Sequence, residues 1–359
     1  MSRINFSLQM NINETMQTIM AIGHELTPIV ISEPGVGKSS ILKMIEAKYG
    51  DQYDYIYVDC PVKDMMDIAA SIPNHESRTL EYYVWSLFKL DSGKPKVSML
   101  DEFMKAPKLL QVIFTRLMLE RTVGDRPLDA DDAPIKSIVF GTSNNASDGV
   151  GDGMLSHAAN RVCKINMSKP DADMWCTWAT ENKIARPIRA WVTMNPKVMY
   201  SYLDPNQEDN EYIFKPSKTG QFASPRSLAK ASIIVEKREV IGENALAVAL
   251  AGTIGESAAK SMAAFIALED RLILTKDIIK DADRIAVPDD VSVLVMMMFE
   301  AVDYLDNQDD VNKYMEFVNR IKQSEIESIF FTMMMRTKPR IARYNAAITK
   351  WATENHMLM

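Results

Sequence analysis

The sequence predicts an α/β fold followed by a wholly helical region, and three observations predict it. Short apolar, β-branched runs (Pro28 to Ser32, Tyr55 to Cys60, Lys96 to Phe103, Ser137 to Asn145) alternate with segments whose apolar residues recur at helical spacing, as in α/β domains. The first run leads into a Pro/Gly turn, a Gly-Lys-Ser tripeptide and the amphipathic Ile41-Leu42-Lys43-Met44-Ile45. Beyond Lys169-Pro170 the strand-like runs stop and helical periodicity takes over.

That first run, Pro28-Ile29-Val30-Ile31-Ser32-Glu33-Pro34-Gly35-Val36-Gly37-Lys38-Ser39-Ser40, organises the chain. Strand, glycine-rich loop and helix in that order are what a phosphate-binding loop needs. Glu33, Pro34, Gly35, Val36, Gly37, Lys38, Ser39 and Ser40 are therefore the candidate nucleotide-binding residues. Glycines at 35 and 37 let backbone N–H groups turn inward around a phosphate, where side chains would intrude. The Lys38 ammonium is placed for the outer phosphates and the Ser39 hydroxyl for Mg²⁺. The helix N-terminus adds its own preference for anions. Ser32 stands where Gly or Ala usually opens the motif, and a serine still fits a tight turn.

The third run, Lys96-Val97-Ser98-Met99-Leu100-Asp101-Glu102-Phe103, is an apolar strand ending in two acids. Asp101 at the strand end suits the Mg²⁺ hydration shell. Glu102, where the backbone leaves the sheet, suits the orientation and polarisation of an attacking water. Acidic strand ends are common, so the pair gains its meaning from the loop that precedes it. The fourth strand ends Gly141-Thr142-Ser143-Asn144-Asn145. Asn144 there can hold a γ-phosphate or the lytic water; taken alone, Asn-Asn is a turn former.

Composition narrows the function classes. At 359 residues the chain suggests two domains, and 47% hydrophobic with 25% charged residues is ordinary for a soluble globular protein. The net charge of −7 and the absence of any basic run argue against a surface built for nucleic-acid phosphates. Cys60, Cys163 and Cys176 lie far apart, without a CxxC pair, and read as thiols in a reducing compartment rather than metal ligands. Met1-Ser2-Arg3-Ile4-Asn5 has no apolar leader, and the most apolar stretch, Ala245 to Leu268, is interrupted by Glu256 and Lys260. A cytoplasmic location without a membrane span is the expectation.

The remaining elements follow in order. Ile12 to Leu26 reads as a helix capped by Asn13 or Asn11. Leu80, Tyr83, Val84, Leu87 and Phe88 form a stripe at helical spacing. Tyr82, Tyr83 and Trp85 are assigned to core packing in preference to a substrate-gripping loop. Lys108 to Leu119 is a helix, and Gly124 with Pro127 marks a turn. The helical region runs through Trp175 to Ala179, Ile188 to Val192, a helix from Pro225, another from Asn244, then Val293 to Leu305, Val311 to Ile321, Glu325 to Met335 and Arg340 to Trp351. Two methionine triplets, Met296 to Met298 and Met333 to Met335, stand out among 25 methionines. They are assigned to core or subunit packing rather than to a client-binding face.

Taken together, the order of motifs resembles the AAA+ ATPases and, within them, the MoxR group. Glu33 to Ser39 is similar to Walker A, Leu100-Asp101-Glu102 to Walker B, and Gly141 to Asn145 to the sensor-1 strand. Leu155-Ser156-His157-Ala158-Ala159-Asn160-Arg161 falls where the family has a helix ending in an arginine finger, and Phe222-Ala223-Ser224-Pro225-Arg226-Ser227 is similar to the sensor-2 signature. Departures are Ser32, Asn145 in place of Pro and Asn160 in place of Asp.

The resemblance implies a P-loop domain with a central, mostly parallel five-stranded sheet over residues 1–169. An α-helical lid over 170–270 would follow, with a C-terminal helical extension over 271–359 packing on it. It implies a homo-hexameric ring that hydrolyses ATP with Mg²⁺ to remodel or chaperone a protein client. It also implies a separate von Willebrand factor A-like partner protein. Arg161 would act on the neighbouring subunit's γ-phosphate and Arg226 on its own, with Arg116 and Arg121 as alternates for the first. The catalytic candidates are thus Glu102, Asn144, Arg161 and Arg226, and the metal candidates Ser39 and Asp101. The alternative functions are a nucleic-acid motor and an ATP-gated scaffold with little turnover.

Overall fold

A computed structural model describes residues 8–145 and 160–355. The chain divides into two compact units, Met1–Lys169 with Lys215–Ser217, and Pro170–Phe214 with Lys218–Met359.

In the first unit the elements run α1 (Ile12–Ile22), β1 (Thr27–Ser32), α2 (Ser40–Tyr49), β2 (Asp54–Asp59), β3 (Ala69–Asn74), β4 (Thr79–Val84), β5 (Lys96–Asp101), α3 (Lys108–Glu120), β6 (Thr122–Val123), β7 (Arg126–Pro127), β8 (Ile138–Asn144) and β9 (Val162–Asn166). Asn11 is the cap of α1: its side chain accepts from the Glu14 N–H while the Glu14 carboxylate accepts from the Asn11 N–H, a reciprocal pair that satisfies two terminal donors.

Five strands form one sheet in the order β2-β5-β8-β1-β9, and every pairing in it is parallel. Side chains alternate between its faces. Val30, Met99, Ile138 and Phe140 pack with Met16, Ile19, Ile41 and Ile45 of the first two helices. Ile29, Leu100 and Val139 pack on the opposite face with Leu110, Phe114 and Leu117 of α3. Burial on both faces explains why these strands read as continuous apolar runs. Because the strands are parallel, β1, β5 and β8 all deliver their carboxyl ends to one edge, with Ser32 paired to Asn144, Leu100 to Gly141 and Asp59 to Asp101. Ligands of open parallel sheets bind outside that edge.

The segment between β2 and β5 corrects the sequence reading. Instead of a helix through Leu80 and Tyr83, the chain forms an antiparallel hairpin of β3 and β4, with Pro73 opposite Leu80 and Ala70 opposite Tyr83. Thr79-Leu80-Glu81-Tyr82-Tyr83-Val84 is rich in β-branched and aromatic residues, which favour a pleated strand. Asn74 closes the turn by accepting from the N–H groups of Glu76 and Ser77. Nor are the aromatics core: Tyr82, Tyr83 and Trp85 are 47%, 60% and 37% exposed, whereas Phe88 is fully buried.

The second unit is helical: α4 (Ala172–Glu181), α5 (Arg186–Met194), α6 (Pro225–Glu236), α7 (Arg238–Ile254), α8 (Glu256–Ile266), α9 (Thr275–Ile278), α10 (Val291–Tyr304), α11 (Gln308–Val318), α12 (Ser324–Thr337), α13 (Pro339–Arg343) and α14 (Ala346–Glu354). The helix read through Arg340 to Trp351 is two, because Asn345 breaks it and caps the second by accepting from the Ala347 and Ile348 N–H groups. One apolar core runs from Ala172 to Ile348 and joins helices on both sides of residue 270. Helix α10 is buried all round from Val293 to Val302, the pattern of a central helix. Met296, Met297 and Met298 are wholly enclosed, and Met333 and Met334 are buried on α12. Cys176 is buried on α4, and burial pushes its thiol up to about 12. Among the described residues no helix is long and apolar enough to cross a membrane.

Candidate active site

At the carboxyl edge of the sheet, the loop between β1 and α2 turns on Gly35 and Gly37, with φ of +78° and +118°. A side chain is strained at such angles, and a Cβ on Gly37 would meet the Ser40 hydroxyl at 3.4 Å. The Ser40 hydroxyl in turn donates to the Gly37 carbonyl at 2.6 Å, bracing the first turn of the helix.

Lys38 is buried, 6% exposed. Its ammonium donates to the carbonyls of Ser32 and Glu33, both at 2.9 Å, to the Ser32 hydroxyl at 3.2 Å and to Asn144 Oδ1 at 2.8 Å. Ser32, the departure from the usual loop opening, thus contributes both its carbonyl and its hydroxyl to the lysine. The Asn144 contact spans from β8 to the loop and sets an amide beside the ammonium, because Ser32 and Asn144 end neighbouring strands in register.

Ser39 does not cap its own helix; its hydroxyl donates to Asp101 Oδ2 at 3.0 Å. The sequence-predicted metal pair is therefore brought together. Two further hydroxyls converge on the same carboxylate. Tyr57 OH, from β2, donates to Oδ2 at 2.8 Å, and Thr142 Oγ1, from β8, donates to Oδ1. Burial first, then the hydrogen bond to Asp101 and the nearby acids, pushes the Tyr57 phenol well above its ordinary range, so it remains a donor. A serine hydroxyl and a buried carboxylate are the hard oxygen donors that magnesium prefers. The glycine-lined loop and this donor set both fit a magnesium nucleotide.

Glu102 follows directly and takes a left-handed backbone, φ +52°. A non-glycine residue there costs on the order of 1–3 kcal/mol and persists where its surroundings over-determine it. Here the Glu102 N–H donates to Thr142 Oγ1 at 3.2 Å, and the carboxylate pairs with Lys105 Nζ at 2.7 Å. One threonine hydroxyl thereby ties together both acids of the strand end.

The arginines separate cleanly. Arg121, an alternate finger in the sequence reading, is spent on the fold: its guanidinium donates to the carbonyls of Gly23 at 2.8 Å, Leu26 at 3.1 Å and Met118, and to Thr27 Oγ1 at 2.9 Å. Burial lowers its pKa to about 10, which leaves it cationic at neutral pH. Arg116 is exposed and pairs with Glu120 at 2.6 Å and the Gly124 carbonyl at 3.0 Å. Arg161 is exposed just before β9; the helix proposed to lead into it, Leu155 to Ala159, lies outside the described residues. Since Val162 pairs with Thr27 in parallel, Arg161 sits at the amino end of the sheet. It is roughly 20 Å along β1 from that strand's own loop. Arg226 is exposed in the first turn of α6, where Ser224 and Ser227 form the cap.

Sequence reasoning missed Tyr57, Thr142 and Lys105 as neighbours of the acids. Thr142 lies inside a strand already singled out, and Lys105 is three residues beyond Glu102. Tyr57 carried no signal of its own: only the register of β2 on β5 reveals it.

Fold and site define the first unit as an α/β domain with a P-loop at the carboxyl edge of a parallel sheet. No protein-family model matches the sequence, and no curated protein matches it. Among solved structures, a mutant form of RuvB from Thermotoga maritima is similar over 76% of each chain at 11% identity and a TM-score of 0.36. NtrX from Brucella abortus in complex with ADP is similar over 95% of this chain and 67% of its own, at 11% identity and a TM-score of 0.37. Likenesses of that degree carry no functional argument, which rests instead on the geometry above.

Proposed function

We propose that the chain is a Mg²⁺-dependent ATPase of AAA+ type. The observation that carries this reading is the convergence on one edge of two pairs: Ser39 with Asp101 at 3.0 Å and Lys38 with Asn144 at 2.8 Å. Phosphoryl transfer to water demands positioning and charge stabilisation rather than covalent chemistry by the protein. The loop N–H groups between Gly35 and Ser39 would cradle the phosphates and the Lys38 ammonium would neutralise the outermost. Ser39 and Asp101 would hold magnesium, which would supply charge neutralisation at the phosphates. Glu102 would orient the attacking water as general base, and Asn144, already beside Lys38, would fix the γ-phosphate or that water.

Arg161, too far along β1 for its own loop, is assigned to a neighbouring subunit's triphosphate in a homo-hexamer. Arg226 as a nucleotide sensor rests on the Ser-Pro-Arg resemblance. The client is proposed to be a protein, with MoxR-like remodelling and a von Willebrand factor A-like partner. Supporting this over a nucleic-acid motor are the −7 net charge and the hairpin of the first unit, whose exposed Leu80, Tyr82 and Tyr83 offer apolar contact rather than a cationic track for phosphates.

Glu102→Gln tests the assignment. The variant is expected to bind ATP as the wild type does while turning it over about 10²-fold more slowly or worse. Wild-type turnover in a steady-state phosphate-release assay would remove Glu102 as the base.

A further inference from the structure

We infer that Tyr57 is a positioning residue for the metal-holding carboxylate. This rests on the proposed ATPase reading and extends it to a residue that neither loop nor acidic motif contains.

An ionised carboxylate offers about four acceptor sites. Asp101 has three of them engaged by hydroxyl donors: Thr142 on Oδ1, and Ser39 and Tyr57 on Oδ2. That leaves one acceptor site, on Oδ1, through which the carboxylate would help hold the metal. The three donors come from three different elements, the loop before α2, β2 and β8, so together they fix the rotation of the carboxyl group. Ser39 and Thr142 each carry a further contact besides this donation: the Ser39 oxygen would also face the metal, and Thr142 accepts from the Glu102 N–H.

Tyr57 is the one donor with no second duty in the site. Its place follows from register: β2 runs parallel to β5, with Tyr57 opposite Met99 and Asp59 opposite Asp101. A long, rigid phenol two residues short of the strand end therefore reaches the carboxylate that a shorter side chain there could not. Tyr57 as a residue is 44% exposed, so losing the hydroxyl leaves no buried cavity and the fold tolerates phenylalanine. Hydrogen bonds to an ionised acceptor are the stronger, more directional kind, and partners that orient metal ligands affect metal affinity by about 10–100-fold.

The test is a titration of Mn²⁺, as a magnesium probe, into protein with saturating ADP, reading free Mn²⁺ by electron paramagnetic resonance. Wild type, Tyr57→Phe and Asp101→Asn are compared, and ADP affinity in EDTA is measured for each. Tyr57→Phe is expected to weaken Mn²⁺ binding about tenfold with metal-free ADP affinity unchanged, and to raise the Mg²⁺ concentration for half-maximal turnover by a similar factor. Mn²⁺ affinity equal to wild type in Tyr57→Phe, while Asp101→Asn loses it, overturns the inference and leaves the ATPase reading standing. Mn²⁺ binding indifferent to Asp101→Asn overturns both.

Discussion

Asp101 shows how much a single carboxylate depends on its neighbours. It is buried, and its charge is met by three hydroxyls from separate elements, each one an aligned donor. Glu102, the next residue, has the opposite character: half-exposed, left-handed, and pinned by a backbone bond to Thr142 and an ion pair to Lys105. Arg121 makes the same point for a cation. Its donors satisfy three backbone carbonyls and one hydroxyl around the turn that leads into β1, so its task is structural. Arg121→Met is expected to lower stability by about 1–2 kcal/mol, because the guanidinium's bonds to Gly23, Leu26 and Met118 are lost, although the Gly23 and Met118 carbonyls keep the Val139 N–H and the Thr27 hydroxyl. ATP turnover per folded molecule should stay at the wild-type level. Denaturant unfolding alongside a turnover assay checks this, and lost turnover at full stability would return Arg121 to catalysis.

At the scale of elements, the chain made some features plain and hid others. Four of the five strands of the parallel sheet were legible as short apolar runs, most plainly β1, β5 and β8 with both faces buried, whereas the edge strand β9, Val162–Asn166, is largely uncovered and gave no such run. The P-loop was legible because phosphate binding demands glycine at positions where no other residue turns as well. The start of α1 was legible only as a cap at Asn13 or Asn11, and the structure makes it Asn11, through its reciprocal pair with Glu14. The β3–β4 hairpin was misread because Leu80, Tyr83, Val84 and Leu87 fall at a helical period by coincidence. Exposure on both faces removes the alternation that would have betrayed the strand. The single helix read through Arg340 to Trp351 failed for a local reason, the cap at Asn345. Tyr57 and Thr142 were invisible as partners of Asp101 because strand register is a long-range property, set by which strand lies beside which.

For the whole molecule, parallel topology decides which residues can meet. Loop, acids and Asn144 share the carboxyl edge, whereas Arg161 adjoins the amino end of β9. An arginine at that end lies far along the strand from its own loop, and the proposed ring assigns it to the triphosphate of a neighbouring copy. Neither Arg161→Ala nor Lys38→Ala subunits should turn ATP over alone. Mixed rings should regain part of the activity, since some interfaces then pair an intact loop with an intact arginine. Turnover measured across mixing ratios checks this, and the absence of rescue at every ratio would assign Arg161 a structural role.

The central claim is that the loop ending at Ser39 and the strand ending at Asp101 hold one magnesium nucleotide between them. Equilibrium ATP titrations of wild type, Lys38→Ala and Asp101→Asn, each with magnesium and with EDTA, address it directly. Lys38→Ala should lose ATP in both conditions, while Asp101→Asn should match wild type in EDTA and lose only the gain that magnesium brings. ATP affinity unchanged by Lys38→Ala, or a magnesium gain that survives Asp101→Asn, would contradict the account.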